Sequence, residues 1–191
     1  MRRPLTALAV TAAALTAVVV VPFAASPAGA QLPGSDPGAR SPKDTHCLAR
    51  FDVTLSPGLS MTPSSGTLST NGETGTNSCN GPINGFNPTG PGSRGEAGRY
   101  GVDGPSSCMH PDGGAAWTIT FTMPTTGGPQ HLEFPVRGTY GALQGGGLYG
   151  GTFSGDGMYG KFRVTVLEGD CTTKPITKVH LDCDEWIVAK D

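Results

Sequence analysis

The sequence predicts an all-β fold: a single antiparallel β-sandwich or β-barrel domain of about eight strands, disulfide-stabilised, following a cleaved signal peptide. Three observations lead there. Glycine supplies 30 of the 191 residues, Ser and Thr are plentiful, and helix-favouring runs are almost absent, which is the composition of short strands and tight turns. Short segments alternate apolar and polar residues between Gly- and Pro-rich breaks. Five cysteines follow an N-terminal export pattern, and an exported chain meets an oxidising space where disulfides form.

The strands can be taken in order. Residues 31–46 are rich in Pro, Gly and Ser and read as a flexible leader, so the β domain is expected over 47–191. Phe51, Val53 and Leu55 alternate with Asp52 and Thr54, and Ser56-Pro57-Gly58 is expected to end that strand in a turn. "GTLSTNGETG" is a weaker strand, and residues 80–104 have room for one or two short ones. "AAWTITFTM" is the clearest: Trp117, Ile119, Phe121 and Met123 face one way and the threonines the other. After a turn over 124–129, "HLEFPVRG" puts Leu132, Phe134 and Val136 on one face, and Pro135 predicts an edge or a bulge because it removes a ladder donor. "GLYGGTFS", "MYGKFRVTVL" and "ITKVHLDCDEWIV" complete the set. Strands at this spacing build sandwiches and barrels.

Residues 1–30 read as a signal peptide. Arg2 and Arg3 give a basic start, an apolar run spans 5–25, and Ala28-Gly29-Ala30 has the small-x-small form that a signal peptidase accepts. The expected localisation is secreted, extracellular, with no membrane insertion after cleavage. Setting Arg2 and Arg3 aside, 11 of the 13 basic residues remain against 15 acidic ones, with no basic block. That argues against nucleic acid as a partner. The partner classes left open are an extracellular glycan, a cell-wall component or a secreted protein.

The stretch "LQGGGLYGGTFSGDGMYGKF" repeats the glycine spacing of a dinucleotide-binding loop, at Gly145, Gly147 and Gly150 and again at Gly155, Gly157 and Gly160. Such a loop works by leading a strand into a helix whose N-terminal amides hold the phosphates. Here both spacings run into strand patterns, so no cofactor is expected, and Ser154-Gly155-Asp156-Gly157 reads as a hairpin turn.

All five cysteines, Cys47, Cys79, Cys108, Cys171 and Cys183, lie beyond the signal. An odd count leaves one over, and arithmetic alone does not choose the pairs. Val179, Leu181 and Cys183 share one strand face, which reads Cys183 as a buried thiol packing like a small apolar residue. The remaining four carry a likeness. "VTLSPGLSMTPSSGTLS" before Cys79, the Gly/Ser-rich span ending in Ser107-Cys108, a Trp-containing strand, and "GDCTTKPIT" together resemble a class of small secreted four-cysteine all-β proteins of actinobacteria. The likeness covers most of 47–178. It implies pairing Cys79 with Cys108 and Cys47 with Cys171, and it brings no activity with it.

Candidate chemistry is sparse. His180, Asp182 and Asp184 project from one strand face, which reads as a solvated surface in the absence of a ligand from elsewhere. His110 and Asp112 share a loop beside Cys108. No G-x-S-x-G elbow or H-E-x-x-H motif occurs, and no opposed carboxylate pairs with Asp182, Asp184 or Glu185. No catalytic, cofactor or metal residue is therefore nominated. Tyr140, Tyr149, Tyr159 and Trp186 are the candidate ligand surface, with ordinary packing as the alternative. Trp186 has the opposite parity to Cys183 and so belongs on the outer face. The expected function is a non-catalytic extracellular or cell-envelope-associated β domain with a binding or structural role. A small extracellular hydrolase using His110 or the His180–Asp184 face, and a secreted protease inhibitor, are the alternatives.

Overall fold

The computed structural model describes residues 43–110, 113–141, 149–155 and 157–188. The expected signal peptide, most of the leader, Asp112, Gly145, Gly147, Asp156 and the side chain of Tyr149 lie outside the described residues. Nine strands follow in chain order: β1 (Thr45–Leu59), β2 (Gly66–Ser69), β3 (Gly75–Asn80), β4 (Gly92–Tyr100), β5 (Ala115–Met123), β6 (Gln130–Tyr140), β7 (Tyr149–Gly155), β8 (Met158–Glu168) and β9 (Ile176–Ile187). Every pairing is antiparallel.

The sheet closes on itself, which decides between sandwich and barrel. β9 returns to β1 over a ladder running from Thr45↔Ile187 to Thr54↔Lys178. β2 and β3 share one position in the ring. β1 pairs with β3 through its first half and with β2 through its second, and β4 does the same from the other side. Residues 70–74 loop out between the two short strands, so they act as one interrupted strand. The ring is then an eight-position up-and-down barrel, and closure leaves no long open edge.

Strand parity sets the interior. Odd residues of β1, β3, β5, β7 and β9 point inward, as do even residues of β4, β6 and β8. The alternation read from the sequence survives almost unbroken: Phe51, Val53, Ile119, Phe121, Met123, Phe134 and Val136 are all buried. Many of the glycines also face inward, where they make room for rings. A Cβ on Gly138 would sit 2.6 Å from Cη2 of Trp117, and one on Gly151 would collide with Cζ of Phe162. The interior is crowded at the backbone because large aromatics fold across neighbouring strands.

Several local expectations need correction. β1 opens at Thr45, two positions before the expected domain start, because Thr45 is already buried and paired with Ile187. Ser56-Pro57-Gly58 does not end the strand. β1 runs on to Leu59 with a cis Ser56–Pro57 bond and a register shift against β9 between Thr54 and Leu59, while Ser56 pairs with Thr67 of β2. Pro135 lies just beyond the end of the β6–β7 ladder, which starts at Val136↔Gly155. Gly157 has φ +78° at the β7–β8 connection, and β8 follows it directly, so Gly160 leads into no helix.

The four expected cysteines are crosslinked, but in other pairs. Cys47 is bonded to Cys79 and Cys108 to Cys171, leaving Cys183 as a buried thiol. Register explains the first pair, since Cys47 and Cys79 are direct partners on β1 and β3. The second joins the β4–β5 loop to the β8–β9 loop at one end of the barrel, with Cα atoms 6.3 Å apart. Each bridge stabilises by roughly 2–4 kcal/mol, largely by restricting the unfolded chain. Peptide mapping of unreduced, alkylated protein is expected to recover Cys47 with Cys79 and Cys108 with Cys171, with Cys183 alkylated only after denaturation. A peptide joining Cys79 to Cys108 would contradict this connectivity.

Candidate functional site

The interior is not uniformly apolar. β4 carries Arg94 and Glu96 on its inward parity, and β9 carries Glu185 on the same face as Cys183 and Ile187. The inward neighbours Gly92 and Gly98 carry no side chain, so β4 leaves room for the long polar chains to reach the barrel axis. Arg94 is fully buried, Glu185 equally so, and Glu96 nearly so. Arg94 Nη1 donates to both carboxylate oxygens of Glu185 at 2.5 and 2.7 Å. Nε and Nη2 both donate to Oε1 of Glu96, at 3.0 and 2.5 Å. The guanidinium also lies over two rings, 4.6 Å from the centroid of Phe51 and 5.1 Å from that of Phe121. β4 and β9 are not neighbours in the ring, so this triad spans the interior.

One guanidinium serves two carboxylates. When both are ionised the group carries one surplus negative charge inside the protein, where unpaired charge is costly. Burial is the main force on Glu96 and raises its pKa to about 7; Arg94 opposes that rise, and Glu185 adds to it. Trp117 helps the charged form from nearby, although its indole N–H reaches no acceptor in hydrogen-bond geometry. Glu185 is raised for the same first reason, burial. Burial also works against the charge on Arg94, but Glu185 and Glu96 together outweigh it and hold the guanidinium firmly protonated. The Cys183 thiol beside them is pushed up by burial, which keeps it a neutral, unreactive group.

The triad forms the boundary between two apolar regions. On one side Ile119, Met123, Phe134, Met158 and Ile187 pack into one buried cluster. On the other lies a cavity of about 90 Å³, walled by Val53, Leu55, Leu59, Leu68, Tyr100, Ala115, Trp117, Tyr140, Phe153, Phe162, Val164, Val179, Leu181 and Cys183, with Arg94 and Glu96 at its floor. Leu68, Trp117, Tyr140, Phe162 and Leu181 are only partly buried although they pack on the core side. The area they expose borders this cavity, which is open on one side rather than enclosed, so it can be reached.

The candidate ligand surface is not one surface. Tyr140 points into the barrel and lines the cavity. Tyr159 and Trp186 are cross-strand partners on the outer face and stack at 5.8 Å, and His46 covers the other side of the indole at 4.8 Å. Trp186 is on the outer parity as expected, yet only 9% exposed because of this stack. The backbone of Tyr149 opens β7, away from that pair.

The polar candidates are engaged with β1 or stand apart. His180 Nδ1 donates to Asp52 at 2.8 Å, Asp182 meets Arg50 at 3.0 Å, and Asp184 meets His46 at 2.5 Å. The first two are rungs of the β1–β9 ladder and the third runs diagonally across it; all join groups at least partly exposed, and such pairs contribute little to stability. His110 is exposed, and its backbone N–H is held by Ser107 Oγ at 3.1 Å. The most enzyme-like arrangement is one the sequence reading missed: Ser93, Thr122 and His131 are successive partners across β4, β5 and β6. Ser93 donates to Glu73 at 2.6 Å, and Thr122 shares a hydrogen bond with His131 at 2.9 Å. A nucleophilic triad needs the imidazole between hydroxyl and carboxylate. Here the carboxylate binds the serine hydroxyl and the imidazole is terminal, so no carboxylate orients the ring as a triad requires. Among the described residues no group of His, Cys, Asp and Glu could hold a metal ion.

Arg94 and Glu96 were passed over in the sequence, yet they carried a signal. Both share parity with Tyr100 in a short Gly-rich strand, and Glu185 shares parity with Val179, Leu181 and Cys183. A charge on the inward side of a strand is a buried charge, and it needs a partner. Comparison with protein-family models, with curated proteins and with solved structures finds no match for the chain.

The raised pKa of Glu96 fixes the sign of a pH effect. The folded state keeps this proton up to about pH 7, against an ordinary value of 4.5. The native protein therefore binds more protons over that window, and stability falls as pH rises through it. Thermal melts of the wild type are expected to decline from pH 5 to pH 8, and Glu96→Gln should reduce that decline. Arg94→Met leaves two buried carboxylates uncompensated and should lose roughly 3–5 kcal/mol at pH 8. Its loss should be smaller at pH 5, where the carboxyls take up protons. A pH profile that Glu96→Gln leaves unchanged would show that this carboxyl is not desolvated.

Proposed function

We propose that this protein is an exported, non-catalytic β-barrel that binds a small, largely apolar molecule inside the barrel, in the extracellular space or at the cell envelope. The observation that carries this reading is the reachable apolar cavity inside the barrel, with the buried charged triad at its floor. Eight-stranded barrels are of the size at which the interior either fills with side chains or holds one small ligand. This barrel does the first below Arg94 and the second above it. The N-terminal export pattern and the two disulfides support placement outside the cell, and no helix among the described residues is long and apolar enough to cross a membrane.

Size limits the ligand. Cavities of about 150 Å³ lined by Leu, Ile and Phe take benzene, and one water occupies about 30 Å³. A space of about 90 Å³ suits roughly three to four heavy atoms on that scale. The hydrolase alternative has less support, because neither His110 nor His180 meets a hydroxyl in the contacts above.

Xenon is a suitable first probe, being small, neutral and apolar. Under xenon pressure, amide shift changes are expected to concentrate on residues of β1, β5, β8 and β9 that line the cavity. Ala115→Leu, which adds carbons to the wall, should abolish them. Shift changes absent from these residues, or unaffected by Ala115→Leu, would remove the binding reading.

A further inference from the structure

We infer that the cavity selects a small organic cation, a short-chain primary alkylammonium, whose charged end meets Glu96 at the floor and whose apolar end fills the space above. This rests on the cavity being a binding site and goes on to assign the ligand's charge and orientation.

The argument begins with charge balance. Arg94 is the positive member of a triad with two carboxylates, and its position is fully determined by them and by the rings of Phe51 and Phe121. Both of its hydrogen bonds to Glu96 end on Oε1. The other oxygen, Oε2, is left outside that pairing, on a carboxylate that lines the cavity. A primary ammonium group placed there donates to Oε2 and supplies the single positive charge that the triad lacks. Its pairing with a carboxylate is a charge-assisted bond in a region of low dielectric, where such bonds are stronger than in water.

The walls agree with this choice. Tyr100, Trp117, Tyr140, Phe153 and Phe162 all border the space. Aromatic faces attract organic cations by about 0.5–2 kcal/mol each when desolvated. The same faces offer nothing to an anion, which would also meet a surplus negative charge at the floor. A neutral molecule of equal size gains the apolar contacts but leaves the imbalance in place. The remaining wall residues are aliphatic and suit a short hydrocarbon tail.

The titratable and charged groups around the cavity are Arg94, Glu96 and Tyr100 on β4, Tyr140 on β6, and Cys183 and Glu185 on β9. Only the two carboxyls among them change charge on the acid side of neutrality. Acidification therefore weakens the cation's hold by protonating the group it binds.

A charge series at nearly constant size tests this: ethylammonium, ethanol and acetate, each titrated at pH 8 by calorimetry and by amide shifts. Ethylammonium is expected to bind about tenfold more tightly than ethanol, and acetate not at all. Glu96→Gln should remove the preference for ethylammonium over ethanol, and the dispersion of its amide spectrum shows that the variant is folded. In the wild type, which needs no substitution, the preference for the ammonium should shrink at pH 5. Ethanol binding as tightly as ethylammonium, or an ammonium preference that survives both Glu96→Gln and acidification, would overturn the inference and leave the cavity reading standing. No binding by any of the three would overturn both.

Discussion

Arg94 has nowhere to go but the barrel axis, and most of the interior follows from how its charge is met. A fully buried guanidinium requires acceptors on every side it presents. Glu96, two residues along the same strand, supplies one oxygen, and Glu185 supplies two from across the barrel. Breaking such a group by removing one member is expensive, whereas replacing all of it with apolar residues is often neutral or better. The triad therefore does not explain why the chain folds. It explains why the chain folds in one register. Arg94 and Glu185 are 91 residues apart in sequence, and shifting β4 or β9 by one position would turn these chains outward and leave the partners buried alone.

The same group divides the interior into two halves of different character. Below it, large apolar side chains from β5, β6, β8 and β9 meet in one buried cluster. Above it, the aromatics lean over inward-facing glycines, notably Trp117 over Gly138 and Phe162 over Gly151, and the space between them is not filled. Tyr100 helps to hold that end open in a fixed shape, since its hydroxyl donates to the carbonyl of Pro57 at 2.6 Å. The Cys108–Cys171 bridge ties the loops at the same end. Function and packing are thus separated along the barrel axis, with the charged floor belonging to both.

Much of the barrel was legible in the sequence because it rests on a period of two. "AAWTITFTM" gave β5 with the correct inward face, and the parity of Cys183 placed it as the buried spare. What failed was whatever depends on register between distant strands. The likeness to four-cysteine secreted proteins implied Cys79 with Cys108 and Cys47 with Cys171, whereas the ladder sets Cys47 directly opposite Cys79. Ser56-Pro57-Gly58 looked like a turn because nothing local reveals that a bulge and a partner on β2 carry the strand onward. Tyr140 and Trp186 could be read as a ligand surface or as ordinary packing, and only the register shows that one turns inward and the other lies under His46. Arg94 was overlooked because a charge in a Gly-rich segment looks solvated until the parity of the whole strand is counted.

The central claim is that a surplus buried carboxylate sits on the floor of the cavity. Carbon-detected NMR titration of the glutamate side-chain carboxyls tests it most directly. One carboxyl, lost in Glu96→Gln, should titrate near pH 7, far above the 4.5 of an ordinary glutamate. If every glutamate instead titrates in the ordinary range, Glu96 is hydrated, the triad is open to water, and the account of the interior is wrong.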